Sequence, residues 1–260
     1  MDLQINGRAA LVCASSHGLG RACALELARA GCRVVINGRD PGDLAATGSA
    51  IRSETGAEVI EVAGDIGDPQ VQAAMVDAVG GHVDILINNN GGPPARSWRE
   101  VDAAAIEAGV VANMITPIAM AQRVIDGMTA QRWGRIVCIT SSSIKAPLPG
   151  LDLSSGARIG LHGFLAGVAR EVAKSGVTIN FLLPGPFDTR RIEALNRQRA
   201  SATGTTKEAA GAERIAGIPA GRLGDPREFG AACAFLCSQQ AGFITGQSLL
   251  IDGGAYPGVL

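Results

Sequence analysis

Three stretches of this chain carry residues whose types and spacing can do chemistry. The first is "CASSHGLG" at 13–20. Gly18 and Gly20 let backbone N–H groups come close to a phosphate, and a helix starting there adds the positive end of its dipole. A GxG also serves many turns for steric reasons, so its weight comes from its place after the first apolar strand. The second stretch is "INGRD" at 36–40. A site for NAD puts a carboxylate about 20 residues past the glycines, where it binds the ribose 2′-hydroxyl. Asn37 stands there instead, and Arg39 follows with a planar fork suited to a 2′-phosphate, which favours NADP over NAD. The alternative is a solvated loop arginine, with Asp40 close by. The third stretch is "LDLSSGARIGLHGF" at 151–164. Ser154 and Arg158 lie four residues apart and so share one face of a helix. A serine hydroxyl is a weak acid, and an arginine stays protonated: it stabilises an oxyanion but hardly relays a proton.

These residues need elements to hold them, and the hydrophobic pattern supplies them. Short apolar runs at 9–14, 33–38, 58–64, 84–89, 134–140, 177–183 and 248–252 read as strands. Between them lie helical patterns after residue 20, ended by Gly31, and at 41–55, 69–80, 100–129, 154–174 and 226–237. This alternation predicts an α/β fold: one doubly wound parallel sheet of Rossmann type, with helices on both faces and right-handed crossovers. The 260 residues then form a single domain, 1–260, because no linker or repeat divides them. The stretch 186–224 is the one long connection; it is expected to be irregular and to cover the substrate.

Composition narrows the function classes. Apolar residues make up 47% and charged residues 18%, with a net charge of −1. Nucleic-acid binding, which needs a basic face, is not supported. Each apolar run is broken by Gly, Ser, Gln or a charge before about 18 residues, so no membrane span is expected. The start lacks the pattern of a signal peptide, and the six cysteines sit in apolar segments without metal-ligand spacing. Buried, reduced thiols in a cytoplasmic protein and no metal site are the expectation. Trp98 and Trp133 read as packing residues, and His82 as a loop residue.

Over nearly its whole length the chain resembles the short-chain dehydrogenase/reductase family, and most of all its 3-oxoacyl-carrier-protein reductases. "CASSHGLG" is similar to the family's TGxxxGxG turn, with Cys13 for Thr and Ala14 for the first Gly. "GDI" at 64–66, "NNNGG" at 88–92, "LPGPFDT" at 183–189 and the C-terminal stretch 221–254 match further motifs. The resemblance implies a small-molecule substrate and a cofactor held by Ser15, Ser16, His17, Gly18, Leu19 and Gly20 of the turn, with Asn37 and Arg39. It adds Asp65 and Ile66 at the adenine, Asn89, Asn90 and Gly91 closing one side, and Pro184, Gly185, Phe187 and Thr189 at the nicotinamide. It also implies a homotetramer built partly from the helices at 100–129 and 154–174.

The family reduces a carbonyl, or oxidises an alcohol, with an Asn–Ser–Tyr–Lys set. Asn113 in "VVANMITPIAMAQ" and Ser141 at the end of "GRIVCITS" match the first two. The tyrosine and lysine positions hold Ser154 and Arg158, and the only tyrosine in the chain is Tyr256. Three readings stay open: a reductase in which Ser141, Ser154 and Arg158 polarise a carbonyl while water gives the proton; altered non-redox chemistry; or dinucleotide binding without turnover. His162, four residues after Arg158, is a candidate replacement acid or a packing residue. Tyr256 reads as a packing or interface residue.

Overall fold

The computed structural model describes residues 2–93 and 95–259. Seven strands form one parallel sheet in the order β3-β2-β1-β4-β5-β6-β7. They are β1 (Ala9–Val12), β2 (Arg33–Gly38), β3 (Val59–Ala63), β4 (Ile85–Asn88), β5 (Gly134–Ile139), β6 (Val177–Pro184) and β7 (Ser248–Ile251). The helices are α1 (Gly18–Arg29), α2 (Pro41–Thr55), α3 (Pro69–Asp77), α4 (Ala103–Val110), α5 (Thr116–Ala130), α6 (Asp152–Val172), α7 (Arg190–Thr203), α8 (Lys207–Ala216) and α9 (Pro226–Leu236).

The strands are apolar on both sides because both sides are covered. Ala10 and Val12 of β1, with Val34 and Ile36 of β2, face α1, α2 and α9. Ala9, Leu11 and Val35 face the layer of α3, α5 and α6. Helix ends follow local chemistry. Asp40 caps α2 by accepting from the Asp43 N–H, Pro41 starts it, and Gly56 ends it in the left-handed region at φ 71°. Asp225 and Glu228 form a capping box at α9. The six cysteines are buried, and burial pushes the Cys13, Cys32 and Cys138 thiols up to about 12.

Chain order reverses between β1 and β4, so the loops leaving their C-terminal ends diverge and open a crevice. The loops after β1, β4, β5 and β6 all end at this edge, and they carry the residues singled out above.

The structure corrects two expectations and qualifies a third. The stretch 186–224 is largely helical, holding α7 and α8. Its inward residues are few (Ile192, Asn196 and Ala200 on α7, Ala210 on α8), which leaves little apolar periodicity to read. Trp98 does not pack inside: it is 65% exposed, with the Arg99 guanidinium over its ring at 4.4 Å. Trp133 does pack, between Arg8 at 3.9 Å and Arg135 at 4.5 Å. Finally, α4, a π-helical turn at Val111–Ile115 and α5 form one continuous run. The run Ala103–Ala130 is long and apolar enough to cross a membrane by length and composition, with mean hydropathy 1.5 over its best window. The interrupting Gly109 and Asn113 do not lower the mean enough. Met120, Ala121, Val124 and Met128 of this run are core residues against the sheet.

Candidate active site

The phosphate-binding turn is built by hydrogen bonds to its own backbone. Ala14 sits at φ 45°, a left-handed conformation usual for glycine. Its N–H donates to Asn37 Oδ1 at 3.1 Å, and its carbonyl accepts from Asn89 Nδ2 at 2.9 Å. Ser15 is buried, with Oγ donating to Val12 O at 2.7 Å. The Ser16 carbonyl accepts from Thr47 Oγ1 at 2.7 Å. Gly20 must be glycine, because a Cβ there would stand 2.5 Å from Ala14 O. The first turn of α1 has no acidic residue, so its N–H groups face the crevice unopposed. These features fit the pyrophosphate of a dinucleotide.

Asn37 is at the predicted place but does not face a ribose. It is 1% exposed, and its Nδ2 donates to Val62 O at 3.0 Å and Gly64 O at 3.1 Å. With the bond from Ala14, its amide is spent joining the ends of β1, β2 and β3. Arg39, two residues on, is exposed, while Asp40 is engaged as the cap of α2. Asp65 is exposed, with Oδ1 accepting from Gly67 N at 2.8 Å, and the Ile66 side chain is buried in the core.

A cleft of about 520 Å³ runs along the sheet edge from this turn. His17, Gly18 and Leu19 line one end, with Asn89, Asn90, Gly91, Pro184, Gly185, Phe187 and Thr189 along the walls. Ser141, Ser154 and Arg158 line it too. Ser15, Ser16, Gly20, Asn37, Arg39, Asp65 and Ile66 do not line this cleft; the first four shape the turn behind it. Asn113 lies in the π-helical turn, buried, with its Oδ1 unpartnered, and lines a neighbouring cavity of about 330 Å³.

Ser154 and Arg158 form the hub of the far end. Arg158 is 6% exposed; its Nε donates to Ser154 Oγ at 2.9 Å, Nη1 to Ile139 O at 2.7 Å and Nη2 to Asn90 O at 3.3 Å. Burial, with Arg191 nearby, pushes its pKa down to about 10, so it stays charged at neutral pH. Because Ser154 Oγ accepts from Arg158, its own proton is free for another acceptor. Ser141 caps a short 3₁₀ turn, its Oγ accepting from Ser143 N at 3.1 Å. Together they offer two hydroxyls and a fixed cation to an oxygen that develops negative charge.

The sequence reading missed Arg190, Arg191 and Arg214, which also line the cleft. All lie on α7 and α8, the stretch expected to be irregular. The usable signals were Thr206, whose side chain caps α8, and the apolar pair Ile192 and Leu195 at helical spacing. Arg190 Nη1 lies 2.7 Å from His17 Nε2, which is itself 2.6 Å from Asp43 Oδ2. Tyr256 does not line the cleft; its N–H donates to Asp252 Oδ2 at 2.8 Å.

Comparison with known proteins decides the family. A family model described as enoyl-(acyl carrier protein) reductase matches residues 13–256. The chain belongs to the short-chain dehydrogenase/reductase family. The 3-oxoacyl-[acyl-carrier-protein] reductase of Vibrio cholerae is 32% identical over 254 residues, covering 98% of this chain and 99% of the relative. The acetoacetyl-CoA reductase of Cupriavidus necator is 32% identical, over 96% and 99% of the two chains. The L-sorbose reductase of Gluconobacter frateurii, solved with NADPH and L-sorbose, superposes with a TM-score of 0.93 at 25% identity, over 100% of both chains. In this short-chain dehydrogenase/reductase, Ser154 and Arg158 lie together on α6 and both line the cleft.

His162 is a packing residue in this structure. Its ring stacks on Phe181 at 3.8 Å, and its nitrogens meet Thr140 Oγ1 and Ser248 Oγ, each at 3.1 Å. It does not line the cleft. Burial first, then Arg158 and Lys145, pushes its pKa down to about 4. A folded-state pKa below the unfolded value of about 6.5 gives stability that is complete above pH 6.5 and is lost as pH falls toward 4. His162→Gln should therefore flatten the loss of stability between pH 7 and pH 4.5, by up to about 3 kcal/mol. Urea-unfolding midpoints of both proteins at the two pH values measure this; identical slopes would refute it.

Proposed function

We propose that this chain is an NADP(H)-dependent oxidoreductase acting on a carbonyl/alcohol pair, with a fixed-charge site in place of the family's tyrosine and lysine. The observation that carries the reading is the Arg158–Ser154 pair facing the same cleft as Ser141 and the glycine turn. Bound NADPH supplies hydride to a carbonyl carbon. Ser141 and Ser154 hold the carbonyl oxygen by hydrogen bonds, and Arg158 behind Ser154 favours the oxyanion. Water gives the proton, since no side chain placed there is a tunable acid. His17, Gly18 and Leu19, with Asn89, Asn90, Gly91, Pro184, Gly185, Phe187 and Thr189, hold the cofactor. NADPH in the sorbose reductase complex supports this choice. NAD is less favoured, because the buried amide of Asn37 offers nothing to a ribose while Arg39 is open to a 2′-phosphate.

A specific observation also supports a second reading, dinucleotide binding without turnover. Among the cleft-lining residues the ionisable groups are His17, Arg158, Arg190, Arg191 and Arg214, with no carboxyl, phenol or lysine. Losing a positioned acid/base typically costs on the order of 10²–10⁴ in rate.

We further propose a homotetramer. Ile106, Val111 and Ile115 on the 103–130 run are exposed, as are Ile159 and Phe164 on α6. Phe243 and Leu249 are exposed at the β7 edge of the sheet. Two separate apolar faces suit the two contacts that four copies with dihedral symmetry need.

Three measurements test these proposals. NADPH should bind at least several-fold tighter than NADH by fluorescence titration, and Arg39→Ala should remove most of the difference; equal affinities in the parent protein would sink the cofactor assignment. Ser154→Tyr with Arg158→Lys should raise NADPH-dependent reduction of activated diketones at least tenfold, followed by cofactor absorbance. A double variant that binds NADPH normally yet reduces nothing faster would move the conclusion to binding without turnover. Light scattering should return the mass of four chains, and a monomer mass would overturn the tetramer.

A further inference from the structure

Several arginines of this chain pair with a carboxylate, while the buried Arg135 donates to the Ser238, Gly134 and Gly176 carbonyls instead. Arg8 pairs with Asp84 at 2.7 Å, Arg199 with Glu213 at 3.1 Å and Arg222 with Glu228 at 2.6 Å. Arg190, at the cofactor end of the cleft, stands 3.6 Å from Asp43. The three arginines deeper on the cleft wall differ. Among the described residues, Arg158, Arg191 and Arg214 have no carboxylate within ion-pair distance. Arg158 bonds to Ser154 and two carbonyls, Arg191 donates from Nη2 to Pro93 O at 2.9 Å, and Arg214 donates from Nε to Asn196 Oδ1 at 2.8 Å. Burial lowers the pKa of all three, although Arg191 remains exposed. Arg158 is occupied by its three acceptors, whereas Arg191 is exposed at the cleft and can still pair with a charged ligand there.

The geometry says where that ligand sits. Gly92 lies on the cleft wall, and a Cβ placed on it would be 3.5 Å from Arg191 Nη2 and 4.0 Å from Ser154 Oγ. The absence of a side chain at 92 therefore leaves a gap between a guanidinium and the hydroxyl assigned to the reacting oxygen. We propose that Arg191 binds the carboxylate of a short oxo acid, with the carboxylate one or two carbons from a carbonyl seated on Ser154 and Ser141. An arginine fork suits a carboxylate in two-point contact, and Arg158 and Arg214 add to the positive field around it. A neutral ester of the same acid offers nothing to Arg191, whereas a free carboxylate does. This rests on the oxidoreductase reading: the carbonyl carbon gains a hydride, the oxygen gains a proton from water, the oxo acid becomes a hydroxy acid, and NADPH is oxidised to NADP⁺.

The test is calorimetric titration of the full chain, both cofactor-free and loaded with NADP⁺, so that no turnover occurs. The probes are acetoacetate and pyruvate, their methyl esters, and inorganic phosphate. The expected result is that at least one acid binds tenfold or more tightly than its ester, and that Arg191→Gln abolishes the preference without weakening NADPH. Gly92→Ala, which narrows the gap without touching a charge, should weaken the acid several-fold and serves if Arg191→Gln does not fold. Acids and esters binding alike in both protein forms, or a preference that survives Arg191→Gln, would overturn the proposal. So would phosphate displacing NADPH while neither acid binds, which assigns these charges to the cofactor. Failure to bind NADPH would remove the oxidoreductase reading alone, since the acid–ester comparison on cofactor-free protein still decides the anion site.

Discussion

The site depends on one buried guanidinium. Taking an arginine out of water costs several kcal/mol, recovered only where its donors meet well-placed acceptors. Arg158 meets them on three segments: Ser154 on its own helix, the Ile139 carbonyl at the end of β5, and the Asn90 carbonyl in the loop after β4. Those contacts hold α6 against the sheet edge and fix the loop that carries Gly91 and Gly92. They also aim the Ser154 hydroxyl, since an oxygen that accepts from Nε turns its proton elsewhere. The planar fork of arginine reaches two strand ends at once, which a lysine ammonium does from a single point. An arginine at 158 is therefore part of the architecture as well as of the electrostatics of the cleft.

A second hub performs the same work at the cofactor end without charge. Asn37 ties Ala14, Val62 and Gly64 together, so the tips of three neighbouring strands are set by one amide. Buried amides of this kind stabilise because each polar atom has a partner. Ala14, strained at φ 45°, is held by bonds on both its N–H and its carbonyl, which lets a non-glycine residue occupy that turn.

How much of this was legible in the sequence follows from the same physics. Strands buried on both faces are continuous apolar runs, and β2 and α2 were readable to the residue, the helix because Asp40, Pro41 and Gly56 mark its ends. The structure brings Gly18, Ser141, Ser154 and Arg158 to one cleft; the family resemblance suggested that grouping, while spacing alone says only that 154 and 158 share a helix face. Asn37 was found, but not its direction: its partners come from the end of β3, and nothing local in the sequence reports them. α7 and α8 stayed hidden because they turn few apolar side chains inward, so the period was faint. With them went Arg190, Arg191 and Arg214, whose charges look like solvated helix surface until the fold lays them on the cleft.

These placements constrain the chemistry together. A site with tyrosine and lysine holds groups whose protonation can be tuned. Here Arg158, with a pKa of about 10, keeps its charge throughout the neutral range, and His162 is held neutral off the cleft. The cleft therefore acts by a standing positive field, which is stronger in a half-buried pocket than in water. In the proposed reaction such a field lowers the energy of an oxyanion but supplies no proton, and water gives it. It also draws anions over neutral molecules in the ground state, whether or not they react. A fixed-charge site thus couples selection and stabilisation through the same arginines: what favours a developing alkoxide also favours a ligand that arrives charged.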